Sequence, residues 1–525
     1  MTNDTISRRT FLQSAAAGAC AAGVAAGTTS DRAAAERPRN VLFICVDDLR
    51  PQLSCYGKDF MITPHLDRLA ESGVVFQNHF CSVPTCGASR CSLLTGARPR
   101  TMQALGNSAF DALPREDTGK ANSLPDLFRR NGYTTVSVGK VSHSPTGLRE
   151  AKPSRRIDDG GNMIYDGPDD GELELPLAWD RAYAPTGEWG DGWSAFFGYA
   201  DGKTRSYTEE KMPAWEAADV PDTGYPDGLI AEAAIKELNT LQHEPFFLAV
   251  GFYKPHLPFC APKKYWDLYD RDAIPLPEHP DPPKNVDPGL SLHKNNELNN
   301  NYAALNNPEE ATEEETRLLR HAYFACVSYV DALIGALLDE LDRLGLRDNT
   351  AVVVWGDHGF HLGDLYVWGK HTTFDFSLRS ALVMSLPGTV VQETPVPHPV
   401  DSLDIYPTLA AYCGLTPPAG LDGVSLLPTI HGVAPPDKPG AYGYWRRRGA
   451  IALTLRTAAY RIVEWSNRDG TVAQVELYDH KNDPHETMNI ADAHPEIVAE
   501  LSKQLRDDHA DNPLFATRYA AGSSG

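Results

Sequence analysis

The sequence predicts an α/β fold: a large mixed, mostly parallel β-sheet between layers of helices, followed by a smaller C-terminal α+β domain with an antiparallel sheet. The chain has 525 residues, of which 42% are hydrophobic, so it can bury the cores of one large domain and one smaller domain. Short apolar runs alternate with amphipathic helical patterns over most of its length. After a proline-rich stretch at residues 432–440, the apolar residues alternate as in antiparallel strands.

Four continuous apolar runs predict the buried strands of the large sheet. They are too short, and too rich in β-branched or aromatic residues, to favour helices. Polar and apolar residues do not alternate in these runs, so we expect both faces of each strand to be covered. The runs are NVLFICVDD (40–48), YTTVSVGK (133–140), PFFLAVGFYKPH (245–256) and TAVVVWGDHG (350–359).

Amphipathic helices are predicted between these strands. The segment SLPDLFRRNG has Ser123 as its N-cap and Gly132 as its stop signal, and two longer patterns cover residues 228–241 and 312–345. Strands that alternate with helices indicate a parallel sheet. In the C-terminal part, residues 450–465 and 472–480 predict antiparallel strands, and residues 494–510 predict a closing helix.

The N-terminus resembles an export signal. Arg8 and Arg9 precede a stretch that is rich in alanine and glycine, which is typical of twin-arginine export. A transmembrane anchor is disfavoured because leucine, isoleucine and valine are scarce there, whereas lipid attachment at Cys20 stays open as an alternative. We therefore expect a periplasmic or secreted protein whose mature chain has no membrane span and begins between Ala22 and Pro38.

The charge of the chain limits its partners. The formal net charge is −22, which argues against a general nucleic-acid-binding or anionic-membrane surface. An anionic substrate would therefore need a local basic pocket.

Polar residues follow the predicted strands where a parallel sheet binds its ligands. The carboxyl ends of parallel strands meet at one edge, so side chains from distant segments are expected to converge there. Acids beside basic groups suit a metal ion that holds an anion. The residues are Asp47, Asp48, Lys140, His143, Lys254, His256, Asp357 and His358.

The stretch CGASRCSLLTG raises the question of what Cys86 does. Two interpretations of Cys86 are a thiolate nucleophile and an inert residue at a helix entrance. A third follows from a resemblance. The stretch resembles the sulfatase signature: a cysteine, any residue, proline or alanine, serine, arginine, and a Leu-Thr-Gly helix. That resemblance implies an alkaline-phosphatase-like fold and oxidation of Cys86 to formylglycine by a formylglycine-generating or anaerobic sulfatase-maturating enzyme. Hydrated formylglycine has one hydroxyl to attack sulfur and a second to expel sulfate.

Other segments place the resemblance nearest the iduronate 2-sulfatase branch. VGKVSH and KPHLPF are its more specific marks, and the pair Asp357-His358 stands where arylsulfatases carry Asp-Asn. The resemblance implies one Ca²⁺ ion held by Asp47, Asp48, Asp357, His358 and the formylglycine from Cys86. Hard oxygen ligands fit calcium, whereas the nitrogen of His358 is an unusual ligand and stays open as a sulfate contact.

The resemblance also implies the catalytic roles. Arg90 would hold the hydrated aldehyde, and Lys140 and Lys370 would bind the sulfate oxygens. His143 would bind or deprotonate the diol, and His256 would protonate the leaving oxygen, although these two residues could exchange roles.

The predicted reaction is exo-acting 2-O-desulfation of a uronate-containing or other sulfated glycan. Alternatives are a phosphonate or phosphate ester hydrolase of the same superfamily, and a non-catalytic binder of sulfated glycans. Arg446, Arg447 and Arg448, in YWRRRGA, are candidates for a second substrate subsite, against the alternative of a basic surface turn.

The expected domain organisation follows. Residues 1–37 form the export signal and a disordered N-terminus, residues 38–432 the catalytic domain, residues 433–515 the C-terminal subdomain, and residues 516–525 a tail.

Overall fold

The computed structural model describes residues 39–149, 154–157, 163–166, 172–208, 210–306, 311–389 and 395–521. The chain from Pro38 onward forms one compact unit. The predicted export signal, with Arg8, Arg9 and Cys20, lies outside the described residues.

A seven-stranded sheet forms the centre of the protein. Its strands are β1 (Asn40–Val46), β2 (Val74–Val75), β3 (Thr134–Gly139), β4 (Arg181–Tyr183), β5 (Phe246–Phe252), β6 (Thr350–Gly356) and β7 (Leu382–Ser385). Their order across the sheet is β2-β7-β6-β1-β5-β3-β4.

The five strands from β6 to β4 run parallel, and β7 runs antiparallel to both of its neighbours, β6 and β2. In register, Val41 pairs with Phe247 on one side and with Ala351 on the other. The mixed, mostly parallel sheet is therefore confirmed. The long predicted strands β1, β5 and β6 are buried along their whole length, which explains why their sequences are continuously apolar.

Helices cover this sheet. The longest of them, α6 (Glu313–Arg343), has a capping box in which Thr312 and Glu315 form reciprocal hydrogen bonds. It is long and apolar enough to span a membrane, but 89% of its apolar 18-residue stretch is buried inside the protein, as in a core helix. The principal helices are α1 (Pro64–Glu71), α2 (Cys86–Thr95), α3 (Leu124–Arg130), α4 (Pro226–Leu241), α5 (Asn296–Asn301), α6 (Glu313–Arg343), α7 (Ile405–Tyr412) and α8 (Pro495–Asp508).

The C-terminal part contains the predicted antiparallel sheet and is followed by α8. Its four strands pair in chain order, and Tyr444 N donates to Ser82 O at 2.8 Å, which joins this sheet to the segment before α2. The domain boundary at residue 432 stays a prediction. The strands are β8 (Ala441–Arg447), β9 (Ala450–Arg456), β10 (Tyr460–Ser466) and β11 (Val472–Asp479).

Shorter elements fill the connections. Within the predicted tail, Ala516–Ala521 is helical. Short paired strands are Ser154–Ile157 with Met163–Asp166, Trp215–Glu216 with Phe259–Cys260, His79–Phe80 with Val400–Asp401, and His361–Leu362 with Trp368–Gly369. Short helices are Gly192–Phe196, Lys263–Trp266, Pro288–Ser291, Asp375–Leu378 and Leu427–Ile430.

Candidate active site

Cys86 is the first residue of the buried helix α2. Thr85 before it is extended and its side chain does not cap the helix. Instead, Asn107 Oδ1 accepts hydrogen bonds from Gly87 N at 3.1 Å and from Thr85 Oγ1 at 3.0 Å. A Cβ atom on Gly87 would lie 2.5 Å from the backbone of Asn107, so only glycine fits this close approach. The helix entrance therefore fixes Cys86 at the carboxyl edge of the sheet.

Four metal-ligand side chains come from the ends of the neighbouring strands β1 and β6. Asp47 and Asp48 follow β1, and Asp357 and His358 follow β6. Asp48 N donates to Asp357 Oδ1 at 3.0 Å, which ties the two ends together. The ligand atoms of Asp47, Cys86, Asp357 and His358 lie within 4.8 Å of one another. The structure thus brings together the residues that the sequence predicts for the metal.

Cys86 touches both acidic and basic side chains. Its Sγ lies 3.4 Å from Asp47 Oδ1, 3.3 Å from His358 Nε2 and 3.5 Å from Lys370 Nζ. His358 Nδ1 donates to the Gly359 carbonyl at 3.0 Å, because a carbonyl can only accept. Nε2 of His358 therefore faces Cys86.

Three cations face the three carboxylates in the buried site. Lys140 Nζ lies 2.5 Å from Asp47 Oδ2, and Lys370 Nζ lies 2.8 Å from Asp48 Oδ1. The guanidinium of Arg90 lies 2.9 Å from Asp357 Oδ2 and 3.4 Å from Asp47 Oδ2. These side chains are at most 4% exposed, so the charges act on one another with little screening by water.

This charge balance shifts the pKa values. Burial alone would raise the pKa of Asp47, but Lys140 and Arg90 hold it well below its ordinary value. Burial raises the pKa of Asp48 well above its ordinary value despite the nearby Lys370. Burial, and then Asp47, raise the pKa of the Cys86 thiol to about 12, so the unmodified thiol stays protonated at neutral pH. This protonation argues against a thiolate nucleophile.

The donor set fits a hard divalent cation. Asp48 Oδ2 is buried and accepts no hydrogen bond from any described residue. A divalent ion would compensate this carboxylate, and three carboxylates at one point are the ligands that calcium prefers. The same location suits an anion bound between the ion and the two lysines.

His256 lies beside Asp48, with its Nε2 4.0 Å from Asp48 Oδ2. Its Nδ1 donates to the Leu257 carbonyl at 2.6 Å, so its Nε2 faces the site. Burial, followed by Lys370, holds the pKa of His256 well below its ordinary value. Lys254, by contrast, donates to the carbonyls of His256 and Pro258 and supports the turn that carries His256.

Glu297, on α5, is a site residue that the sequence analysis missed. Its Oε1 lies 3.3 Å from His256 Nε2, and its Oε2 lies 3.9 Å from Lys370 Nζ. Asn295 Oδ1 accepts a hydrogen bond from Trp368 N at 2.7 Å and so fixes the start of α5 beside the strand that precedes Lys370. The surrounding proline- and asparagine-rich segment indicates only a surface excursion, and no motif in it marks Glu297.

Aromatic side chains line the side of the site that carries Lys140. Phe196 lies with its ring centroid 4.0 Å from Lys140 Nζ and 4.6 Å from the ring of His256. His143 is buried and packs edge-on against Trp193 at 5.4 Å. His143 is not part of the metal-ligand clusters around Cys86, so its predicted role at the diol stays a prediction.

The three candidate subsite arginines lie at the β8–β9 hairpin. Arg447 donates to the carbonyl of His371, the residue after Lys370, whereas Arg446 and Arg448 are exposed. Trp445 stacks on the ring of His371 at 5.1 Å and 6°. The structure thus brings Arg447 to the site wall, and it places Arg448 in the turn itself, with a φ of 50°.

Comparison with protein families gives two matches. The family described as "Sulfatase" matches residues 39–415. The family described as "N-sulphoglucosamine sulphohydrolase, C-terminal" matches residues 363–511. Together these matches span the central sheet, the candidate site and the C-terminal sheet.

Individual relatives agree with these matches. The chain is 33% identical over 417 residues to iduronate 2-sulfatase from Mus musculus, covering 75% of this chain and 68% of that protein. It is 30% identical over 459 residues to a sulfatase from Formosa agariphila, covering 86% and 83%.

Solved structures share the fold. Phosphonate monoester hydrolase of Agrobacterium radiobacter superposes with a TM-score of 0.70 at 22% identity, covering 90% of this chain and 96% of that chain. A 2-O GAG sulfatase superposes with a TM-score of 0.64 at 21% identity, covering 91% and 93%.

Proposed function

The chain belongs to the sulfatase family, and we propose that it removes sulfate from a sulfated saccharide with a formylglycine made from Cys86 and one bound Ca²⁺ ion. The observation that carries this proposal is the position of Cys86 Sγ, within 3.5 Å of Asp47, His358 and Lys370. An oxygen nucleophile formed at this position would lie among metal-ligand carboxylates and lysines that can bind an anion.

The metal is assigned to four side chains of the strand ends. Asp47, Asp48 and Asp357 would supply carboxylate oxygens, and His358 would supply Nε2, which the bond from Nδ1 to the Gly359 carbonyl leaves as an acceptor. A Ca²⁺ ion held there would polarise a sulfate oxygen, and a hydrated formylglycine at residue 86 would supply the hydroxyl nucleophile. Arg90 holds Asp47 and Asp357 in place through its guanidinium.

The remaining cations are assigned to the substrate. Lys140 and Lys370 place two positive charges against the sulfate oxygens, where they stabilise negative charge that develops during the reaction. His256 keeps Nε2 toward the site because Nδ1 donates to a carbonyl. With its pKa held well below the ordinary value, the ring must first bind a second proton at Nε2, and it is proposed then to deliver that proton to the leaving sugar oxygen. His143 is proposed to hold or accept a proton at the nucleophile.

For the substrate we infer a terminal, 2-O-sulfated uronate or a related sulfated sugar. The similarity to iduronate 2-sulfatase supports this assignment. Arg447, half-buried beside His371, is the proposed carboxylate contact, with the exposed Arg446 and Arg448 as further contacts. The proposed location is the periplasm or the outside of the cell, after twin-arginine export or with a lipid at Cys20.

The test compares the Cys86 peptide and activity in one preparation. Active protein is expected to carry the aldehyde mass at residue 86, and Cys86→Ser is expected to lose activity by at least about a thousandfold. Cys91→Ser, in the same helix, is the matched control that keeps activity. Full activity from unmodified Cys86 would contradict the proposed chemistry.

Paired esters separate this proposal from the phosphonate hydrolase alternative. We expect a higher kcat/KM for an aryl sulfate than for the matched phosphate or phosphonate ester. Activity is also expected to fall on treatment with a calcium chelator and to return with Ca²⁺. A clear preference for the phosphorus ester, or restoration by Zn²⁺ alone, would contradict the assignment.

A further inference from the structure

Three metal-ligating side chains meet on the surface, away from the site described above. His485 Nε2 lies 3.4 Å from Glu278 Oε2, and His279 Nε2 lies 3.9 Å from Glu278 Oε1. The two imidazole rings are 4.7 Å apart, and one ligand atom from each of the three residues lies within 4.8 Å of the others. Glu278 and His279 belong to the segment after β5, whereas His485 follows β11, so the fold alone brings them together.

Backbone hydrogen bonds hold the two segments side by side. Lys284 N donates to the Thr487 carbonyl at 2.9 Å, and Asn489 N donates to the Lys284 carbonyl at 3.1 Å. The carbonyl of His279 accepts a hydrogen bond from Leu365 N at 2.8 Å. The two segments are therefore held together without a metal, so metal binding would cost little backbone conformational entropy.

His485 is held ready as a ligand. Its ring stacks on Phe376 at 5.9 Å and 18°. Its side chain is 32% exposed, which leaves it open to ions from solvent.

We propose that Glu278, His279 and His485 form a second metal site, for a borderline divalent transition-metal ion such as Zn²⁺. Tetrahedral zinc with ligand bonds of about 2.0–2.1 Å places its donor atoms about 3.4 Å apart. The His485–Glu278 separation matches this value, and His279, at 3.9 Å from the other oxygen of Glu278, would move closer on binding. Two imidazoles and one carboxylate are a zinc-type ligand set, whereas calcium prefers the oxygen-rich set around Asp48. Water completes the coordination on the exposed side.

The bound ion would join the segment that leads along the chain to Glu297 to the loop that follows β11. The segment with Glu278 and His279 continues toward Glu297, and the loop with His485 also carries Glu486, which accepts a hydrogen bond from Asp375 N at 2.7 Å. The ion would thus stabilise the contact between the segment at residues 278–284 and the loop at residues 485–489. This site is separate from the proposed sulfatase chemistry and does not depend on it.

Zinc calorimetry on the full chain, with Ca²⁺ in excess, tests the site. The wild type is expected to bind one more equivalent of Zn²⁺ than His279→Ala and His485→Ala, or to bind that equivalent at least about tenfold more tightly. Glu278→Ala, at a 74% exposed side chain that poses little risk to folding, is expected to weaken the same equivalent. His494→Ala is the matched control, because His494 faces a single acid, Glu496, at 3.6 Å.

Substitution of Co²⁺ for Zn²⁺ gives a second measurement. A visible absorption band of a four-coordinate ion is expected in the wild type and in His494→Ala, and its loss is expected in the three site variants. Equal zinc binding by the wild type and all site variants would overturn the proposal. No zinc binding by the wild type, or an equal loss in His494→Ala, would also overturn it.

Discussion

At the scale of single residues, Glu297 has the least expected position. Its carboxylate lies between His256 and Lys370, the groups proposed to face the leaving oxygen and the sulfate. Its side chain is 23% exposed, whereas those of Lys370 and His256 are 4% and 5% exposed, so it stands at the entrance of the site. An anion that enters must therefore pass a negative charge.

Replacement of Glu297 by glutamine is expected to strengthen anion binding. Two charges about 4 Å apart interact by about 1 kcal/mol even in water, which is about fivefold in binding, so the inhibition constant of inorganic sulfate should fall by about that factor. Steady-state inhibition assays measure it. Glu314→Gln, at an exposed position in the first turn of α6, serves as the control. A weaker or unchanged affinity for sulfate would show that Glu297 does not oppose the anion.

At the scale of elements, helix α2 depends on a partner outside itself. Asn107 Oδ1 supplies the acceptor for Gly87 N that the N-cap residue Thr85 does not supply. Asn107→Ala is expected to lower the free energy of unfolding by about 1 kcal/mol, as the loss of a helix cap does. Asn107→Asp keeps the acceptor and places a negative charge at the helix N-terminus, so it is expected to keep that stability. Chemical denaturation of the three proteins measures the difference. Equal losses in both variants would contradict the capping role.

The pairing of the short strands at His79 predicts a pH dependence. Burial lowers the pKa of His79 to about 4, while its ring contacts the Ser380 carbonyl at 3.2 Å and Ser402 Oγ at 3.1 Å. In the unfolded chain a histidine titrates near pH 6.5, so between about pH 6.5 and 4 the unfolded state binds the proton and the folded state does not. The contribution of His79 to stability is therefore complete above about pH 6.5 and is lost as the pH falls toward 4.

A matched pair of variants isolates this effect. The wild type is expected to lose up to about 1.4 kcal/mol of stability per pH unit through His79 across that window, and His79→Gln is expected to have a shallower slope by that amount. Denaturant titrations from pH 7 to pH 4 measure both slopes. His494→Gln, at the surface, should keep the wild-type slope. Parallel slopes for the wild type and His79→Gln would contradict the burial argument.

At the scale of the whole molecule, the net charge of −22 opposes a polyanionic substrate. The two cations assigned to the sulfate, Lys140 and Lys370, attract it only locally, because the first also faces Asp47 and the second also faces Asp48. A terminal sugar can reach them, whereas a long sulfated chain must approach the acidic surface along its length. This is the physical reason for proposing action at chain ends.

Ionic strength is expected to separate the two kinds of substrate. Salt screens repulsion over about 10 Å at 0.1 M, so kcat/KM for a sulfated polymer should rise from low salt to about 0.1 M. The matched sulfated disaccharide should show no comparable rise. Product analysis of the polymer is expected to show release of sulfate from its ends. A polymer rate that falls with salt, or desulfation at internal positions, would contradict end-directed action.

The sequence alone predicted the four long strands of the central sheet, their parallel pairing and the meeting of polar side chains at one edge, but not the strands β2, β4, β7 and β8. Buried strands require continuous apolar runs, and polar residues at their carboxyl ends must meet at one edge, so Asp47, Asp48, Asp357 and His358 were predictable from local patterns. The tertiary structure decided what depends on contacts between distant segments. It placed Glu297 beside His256, Asn107 at the start of α2 and His485 beside His279, because none of these contacts follows from residue spacing along the chain.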